Sequence, residues 1–399
     1  MSKTQRVFLR AAERGVQQSN QWWQKKRHWY RSTLDGTQTA SLWGVVPLFE
    51  ALNAIQLAKP SHPHRHMLNR FARGAERYLN PSLEPVAGFG PKPRQRNPGK
   101  TTWFDDNGWW GLAFLDAYEA TGRPRYLNDA MIADQFISVS GWDTTPGRPG
   151  GLWWNTNHSF YAGETLAGGT LLSARLYAIT HDQHYLDDAV KYINWADVWL
   201  VDPATGLYAR LRKPGSYGVG SGATAAAATT AQARDSAALE RNPDEAAKLS
   251  AAAGDQGPQL LGNTEPPFVP LPMPYVQGPM ILAHRIICEA TGINSYCDRA
   301  EDLAQRTITV YQRFWMGPQY DRVYLHEMLE LYKQDGNPDW YGMAASNAWR
   351  ALRKAHDRHG LYLRTWYGKK PVNAGSSKGS LQLHAANTAV FAWMAAIGR

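Results

Sequence analysis

The chain has 399 residues, 43% of them hydrophobic, enough to bury a large core, and its length alone would permit two or three domains. Lys and Arg exceed Asp and Glu by nine, but the basic residues are mostly scattered and no zinc-finger, RNP or helix-turn-helix pattern accompanies them, which argues against nucleic-acid binding. No apolar run reaches the roughly eighteen residues of a membrane span, and Met1–Arg6 leads into a charged amphipathic helix with no apolar signal core, so the chain reads as cytoplasmic, or as secreted if it is a processed form.

After that helix, Asp35 stands in a polar turn before an apolar helix, where it caps the helix or reaches a ligand hydroxyl. His62, His64 and His66 alternate in a Pro-containing turn with no local carboxylate, and no His-Glu-x-x-His occurs, so no metal site is expected. Lys92, Arg94, Arg96 and Lys100 alternate with Pro and Gly and read as a solvated basic loop at the cleft rim, with contact to an acidic substrate or anionic lipid headgroup as the alternative.

Directly after this loop comes Trp103-Phe104-Asp105-Asp106-Asn107-Gly108-Trp109-Trp110, two adjacent carboxylates set among large aromatics at the entry to a helix. Such a pair suits sugar chemistry, since one acid can protonate a glycosidic oxygen while the other attacks or supports the anomeric carbon. Like-charge repulsion separates their titrations and so holds the two in different protonation states. The structural alternative is an N-terminal Asp with a second acid in the first turn, favoured by the helix dipole. Trp110 is expected to pack between helices, and Trp109 or Trp103 to line a cleft.

A weak repeat organises the rest. Leu115–Ala130 recurs as Ala178–Ala189 and again as Cys288–Ala300, each ending one helix at a small-residue turn, seating a Tyr and starting another helix. A second device, Gly151-Leu152-Trp153-Trp154, Gly206-Leu207-Tyr208-Ala209 and Gly360-Leu361-Tyr362-Leu363, reads as short extended segments. Helix pairs of about fifty to sixty residues in series predict an all-α (α/α)6 barrel, or toroid, with short β-hairpin loops at one mouth; a superhelical solenoid is the alternative. The expected organisation is one domain over 1–399, interrupted at about 215–270 by a Gly/Ala-rich insertion poor in large apolar residues. Cys288 and Cys297, the only cysteines, suggest a reducing compartment and no disulfide framework, with a single bridge between them as the lesser alternative.

The aromatic-Asp-Asp motif with its following double Trp resembles the hallmark of glycoside hydrolase family 76, the endo-α-1,6-mannanases. Similar segments follow in the family's order: Gly150–Trp154, Ala174–Tyr177, Tyr275–Gly278 and Ser346–Arg350. The resemblance implies the closed toroid, with Asp105 as nucleophile and Asp106 as general acid/base of a retaining, endo-acting hydrolase of α-1,6-linked mannan, open to transglycosylation and needing no cofactor. The expected partner is a carbohydrate, and the expected state a monomer. Where relatives carry a Lys-Asn-x-x-Ser-Asn-like run, this chain reads Ser159–Thr165, which leaves sugar and linkage open.

Around the pair, the expected substrate-binding residues are Trp103, Trp109, Trp153 and Trp154 by stacking on pyranose faces, Glu164 at the start of a barrel helix, Tyr275 and Gln277 in the family's Tyr-x-Gln-Gly position, and Arg322 as a cleft cation or a partner of Asp321 or Glu327. Two other readings are an intracellular sugar epimerase of the N-acylglucosamine 2-epimerase type, which would need histidines at the mouth, and a non-catalytic glycan-binding protein.

Overall fold

Burial sorts the helices into two classes. In a computed structural model, which describes residues 1–212, 268–269, 272–311, 314, 316–368 and 379–398, some helices are buried all round and others on one stripe only. Those buried nearly all round are α2 (Leu42–Ala58), α4 (Phe104–Thr121), α6 (Gly163–Thr180), α8 (Pro274–Thr291), α10 (Pro318–Asp335) and α12 (Leu381–Ile397). A helix apolar on most sides must lie inside, whereas α10 is inside with Asp321, Arg322 and Glu327 buried among its apolar residues. Those burying a narrower face are α1 (Lys3–Gln18), α3 (His62–Ala75), α5 (Pro124–Phe136), α7 (Gln183–Trp199), α9 (Asn294–Val310) and α11 (Pro338–Lys354). On α9 the buried stripe is Ala300, Leu303, Ala304 and Thr307, at the three-to-four spacing of one helix face.

The two classes alternate along the chain. Each inner helix packs on the next, α2 on α4, α4 on α6, α6 on α8, α8 on α10, α10 on α12, and α12 returns to α2. That closure makes the expected (α/α)6 barrel rather than a solenoid. Close approach of inner helices rests on glycine: a Cβ on Gly108 would meet the Gly168 backbone at 3.2 Å, and one on Gly278 would meet the Tyr324 Cα at 2.8 Å.

The repeat read from the sequence is the inner-to-outer turn. α4, α6 and α8 end at Gly122, His181 and Gly292, all left-handed, and the next helix starts two residues later. A fourth copy, unread in the sequence, ends α10 at Gly336 and starts α11 at Pro338, with Trp340 buried in place of the docking Tyr. These four turns are short, so most of the remaining chain lies at the other end, where outer helices lead back to inner ones.

There the expected hairpin segments occur. β1 (Trp23–Gln24) pairs with β2 (Trp29–Tyr30), and β3 (Leu79–Asn80) with β4 (Gly88–Phe89). β5 (Tyr161–Ala162), β6 (Leu211–Arg212) and β7 (Phe268–Val269) form an antiparallel three-stranded sheet in that spatial order. The Gly-Leu-aromatic devices contribute isolated bridges, Trp142 to Leu152, Val201 to Tyr208 and His356 to Tyr362. The Gly/Ala-rich insertion lies outside the described residues except for the strand Phe268–Val269.

Two expectations are corrected. Cys288 and Cys297 form a disulfide with Cα atoms 5.4 Å apart, because α8 and α9 are antiparallel about the Gly292 turn and the last turn of one faces the first turn of the other. His62, His64 and His66 lie on the first turns of α3, capped by Ser61 with Pro63 beside it, rather than in a turn; His62 and His66 stack across one helical turn, and His64 sits 3.3 Å from Glu13. No helix among the described residues is long and apolar enough to cross a membrane.

Because the Gly278 contact is with backbone, Gly278→Ala should force α8 away from α10. A loss of about 1–3 kcal/mol is expected from overpacking, read as a lowered midpoint in urea with an unchanged slope.

Candidate active site

Inner helices alternate with outer ones, so all six run in one direction and begin at the same mouth. Their N-terminal N–H groups and dipoles converge there and favour negative charge. Asp105 and Asp106 occupy the first turn of α4, and Glu164 the first turn of neighbouring α6.

The start of α4 is fixed from both sides. Asn107 acts as a clamp: its side-chain oxygen accepts from the Phe89 N–H (2.7 Å), and its amide donates to the carbonyls of Phe89 (3.0 Å) and Trp103 (2.8 Å). On the other flank, Trp103 bridges Asn155, and the Phe104 N–H donates to the Trp154 carbonyl at 3.0 Å. The acidic pair is thereby tied to β4 and to the loop before α6. Asn107 was not singled out in the sequence, although its place directly after the two Asp residues was visible.

Both carboxyls are strongly perturbed. Burial, the neighbouring Asp106 charge and Glu164 push Asp105 well above the usual carboxylate range, with the Trp154 side chain and the Asp106 backbone N–H partly offsetting the rise. Asp105 Oδ1 has no hydrogen-bond partner among the described residues. Asp106 is raised to about 7 by burial, while the Lys92 ammonium pulls it back. The two adjacent carboxyls therefore titrate as one interacting pair above the usual carboxylate range. Lys92 is therefore not simply part of a solvated loop: it is half-buried, donates to the Thr39 carbonyl at 2.7 Å and is held below its usual range by burial. Arg94, Arg96 and Lys100 are exposed as expected.

Glu164 is almost wholly buried. Its Oε1 accepts from the Tyr275 hydroxyl at 3.1 Å and lies 3.6 Å from Arg210 Nε, while Oε2 has no partner among the described residues. Burial raises its carboxyl above the usual range against the pull of Arg210. Arg210, on the loop before β6, was not singled out in the sequence.

Aromatic rings gather between these helix starts. Trp43, Trp109, Tyr275 and Tyr320 stand with ring centroids 5.2–6.4 Å apart. Arg322 lies 5.2 Å from the Trp43 ring and pairs with Glu50 across the barrel; neither Asp321 nor Glu327 is its ion-pair partner. A separate cluster joins Trp103, Trp154, Phe160 and Ala162 beside Asp105. Trp110 packs edge-on to Phe49, Tyr78 and Phe114 in the core, as expected.

Two expected contacts are placed elsewhere. Gln277 is fully buried, and its amide holds the Tyr208 backbone in both directions, accepting at 3.0 Å and donating at 2.8 Å. Trp153 is buried between His158 (5.1 Å) and Tyr161 (4.5 Å). Adjacent residues of an extended segment face opposite ways, so only one of Trp153 and Trp154 can line the mouth.

Fold and site together define an (α/α)6 barrel with an acidic, aromatic mouth. Residues 91–211, which include the Asp pair and Glu164, match the family model described as glycosyl hydrolase family 76. Among solved structures, the chain is similar to a GH76 α-mannanase from Bacteroides thetaiotaomicron, at TM-score 0.76 and 18% identity over 98% of this chain and 95% of that one. It is also similar to an inactive variant of an α-1,6-mannanase from Salegentibacter sp. HEL1_6, two consecutive aspartates replaced by asparagine, in complex with α-1,6-mannotriose, at TM-score 0.70 and 15% identity over 97% and 99%. Dfg5 from Chaetomium thermophilum, in complex with glucosamine, matches at TM-score 0.63 and 14% identity over 98% and 91%. A comparison with curated proteins finds no match. The family model and the shared fold bear out the recognition of glycoside hydrolase family 76 made from the sequence motif.

Asp105 binds its proton more tightly in the folded chain than in the unfolded one, so it opposes folding increasingly as pH rises above the ordinary carboxylate range. Asp105→Asn should accordingly raise the melting temperature at pH 8, with the gain shrinking toward pH 4, as calorimetry at the two pH values would show.

Proposed function

We propose that the chain is a retaining glycoside hydrolase that cleaves α-1,6-mannosidic linkages, in endo fashion. The observation that carries this reading is the Asp105–Asp106 pair, set in the first turn of an inner helix at the mouth and lying within the segment matched to family 76. Asp105, ionised, attacks the anomeric carbon and forms a glycosyl ester. Asp106 delivers its proton to the leaving oxygen and then takes one from water that opens the ester; a sugar hydroxyl in place of water gives transglycosylation.

The proton balance of the pair is set by its neighbours. Glu164 favours a neutral Asp105 and Lys92 an ionised Asp106, the reverse of what attack requires. Positive charge developing on the sugar beside Asp105 reverses that preference and leaves the proton with Asp106, so the attacking state is stabilised at the transition state more than in the free enzyme. Trp103, Trp109 and Trp154 supply faces for pyranose rings, Tyr275 and Glu164 supply polar groups, and Arg322 with Glu50 supports Trp43. Glu164 Oε2 and Asp105 Oδ1, both without a hydrogen-bond partner among the described residues, are the acceptors offered to sugar hydroxyls.

The epimerase reading calls for imidazoles free at the mouth. His384, in the first turn of α12, is hydrogen-bonded to the Gly15 carbonyl and stacked on Trp22 and Tyr362, and His158 is stacked on Trp153. The Cys288–Cys297 bridge supports the secreted alternative for the compartment.

Incubation with α-1,6-mannooligosaccharides, followed by NMR of the products, should give shorter oligosaccharides whose new reducing ends are first α. An initial β anomer would overturn the retaining mechanism. Asp105→Asn should lose several orders of magnitude in turnover, and Asp106→Asn should be partly rescued by azide on an activated substrate, since a small anion replaces base-assisted water. In Lys92→Met, loss of the ammonium should raise Asp106 further above about 7. Because Asp106 acts in its protonated form, the alkaline limb of the kcat/KM profile should move to higher pH.

A further inference from the structure

The outer wall of the barrel carries a cavity of about 730 Å³, bounded by α7, the loop from Trp142 to Pro149 and the turn into α9. It is lined by the indoles of Trp142, Trp195 and Trp199 and the ring of Tyr296, with the exposed polar residues Gln183 and Asn194 among them. It is an open groove on the surface, with a volume in the range of a small-ligand site. On α7 the side chains come in register, since Gln183, Asp187, Lys191, Trp195 and Trp199 follow at four-residue steps and form one ridge.

The two inner indoles are seated by backbone. Gly150 and Gly151 both have positive φ, 92° and 126°. A Cβ on Gly150 would run into the Trp142 ring, and one on Gly151 would come within 2.7 Å of Trp195 Cζ2. The loop can therefore pass directly against both rings only because it lacks side chains there. Lys191 lies 4.9 Å from the Trp142 ring and holds it from the other helix. Trp195 is 5% exposed, yet its indole N–H has no partner among the described residues. That N–H is itself closed off from the cavity, so the aromatic rings rather than this donor line the site.

We propose that this cavity is a second carbohydrate-binding site, separate from the catalytic mouth, taking a segment of a polysaccharide chain. Indole and phenol rings interleaved with amide and carboxylate side chains match the alternating C–H surfaces and hydroxyls of pyranose units, and Lys191 and Arg212, which lie over the Trp142 and Trp199 rings, add cationic donors beside them. The site and the mouth share one loop: Leu152 pairs with Trp142 at the cavity, while Trp154 and Asn155 hold the start of α4 beside Asp105. A polymer bound on the wall is thus kept close to the mouth, which raises its effective concentration there. The choice of mannan as probe rests on the reading above, whereas the existence of the cavity does not.

The test uses the full chain carrying Asp105→Asn, with binding to α-1,6-mannan polymer and to α-1,6-mannotriose measured by calorimetry. Adding Trp199→Ala should weaken polymer binding about five- to tenfold, while mannotriose binding at the mouth keeps its affinity. Asn194→Arg, a change at an exposed position that leaves packing intact, should block the cavity with the same result, guarding against a folding defect in the Trp variant. Polymer affinity unaltered by both changes would overturn the proposal, as would a dimer in solution that Asn194→Arg dissociates, which would make this face a contact between copies. Polymer binding that depends on the cavity in a chain that hydrolyses no mannooligosaccharide would sustain the wall site and remove the mannanase reading.

Discussion

Six inner helices that run the same way must begin at the same end of the barrel, and everything functional in this protein follows from that alignment. The open N–H groups and dipoles of those helices face one mouth and favour negative charge there. Asp105, Asp106 and Glu164 use it, each in the first turn of its helix. Two cations near the mouth answer to them, Lys92 to Asp106 and Arg210 to Glu164, while Arg322 pairs with Glu50 across the barrel.

That arrangement works against stability. Burial raises all three carboxyls above their usual range, so the folded chain would be easier to form without them. Strain of this kind collects at working sites. The scaffold tolerates it because the ring is closed, with α12 packed on α2, and because the acidic turn is clamped by Asn107 on one flank and by the Trp154 carbonyl on the other.

The loops at the mouth have a second consequence. A connection from an outer to an inner helix has an inner edge toward the mouth and an outer edge toward the wall. The segment from Trp142 to Ala162 uses both, placing Trp154 beside the acidic pair and Trp142 on the outer surface. Trp153, between them, fills the core. The indole-rich first half of the chain is thus divided among catalysis, packing and the outer wall by which edge of a loop each residue occupies.

Much was legible in the sequence because it is local. Helix periodicity, the Gly and small-residue turns and their recurrence require only near neighbours, and they determined the helical hairpins, whereas the closed barrel rather than a solenoid came from the family resemblance. The Asp105–Asp106 pair was legible for the same reason, as was the inward packing of Trp110. Where partners come from distant segments, the sequence was silent. Nothing local says that Lys92 leaves its basic loop to face Asp106, that Gln277 is committed to the Tyr208 backbone, or that Arg322 meets Glu50, 272 residues away in sequence. Cys288 and Cys297 were nearer, but their bridge depends on the antiparallel docking of α8 and α9. Periodicity determines which face of a helix is buried; closure of the ring decides what that face meets, since the pairing energy of a charge or an amide belongs to two positions and only the tertiary fold sets the distance between them.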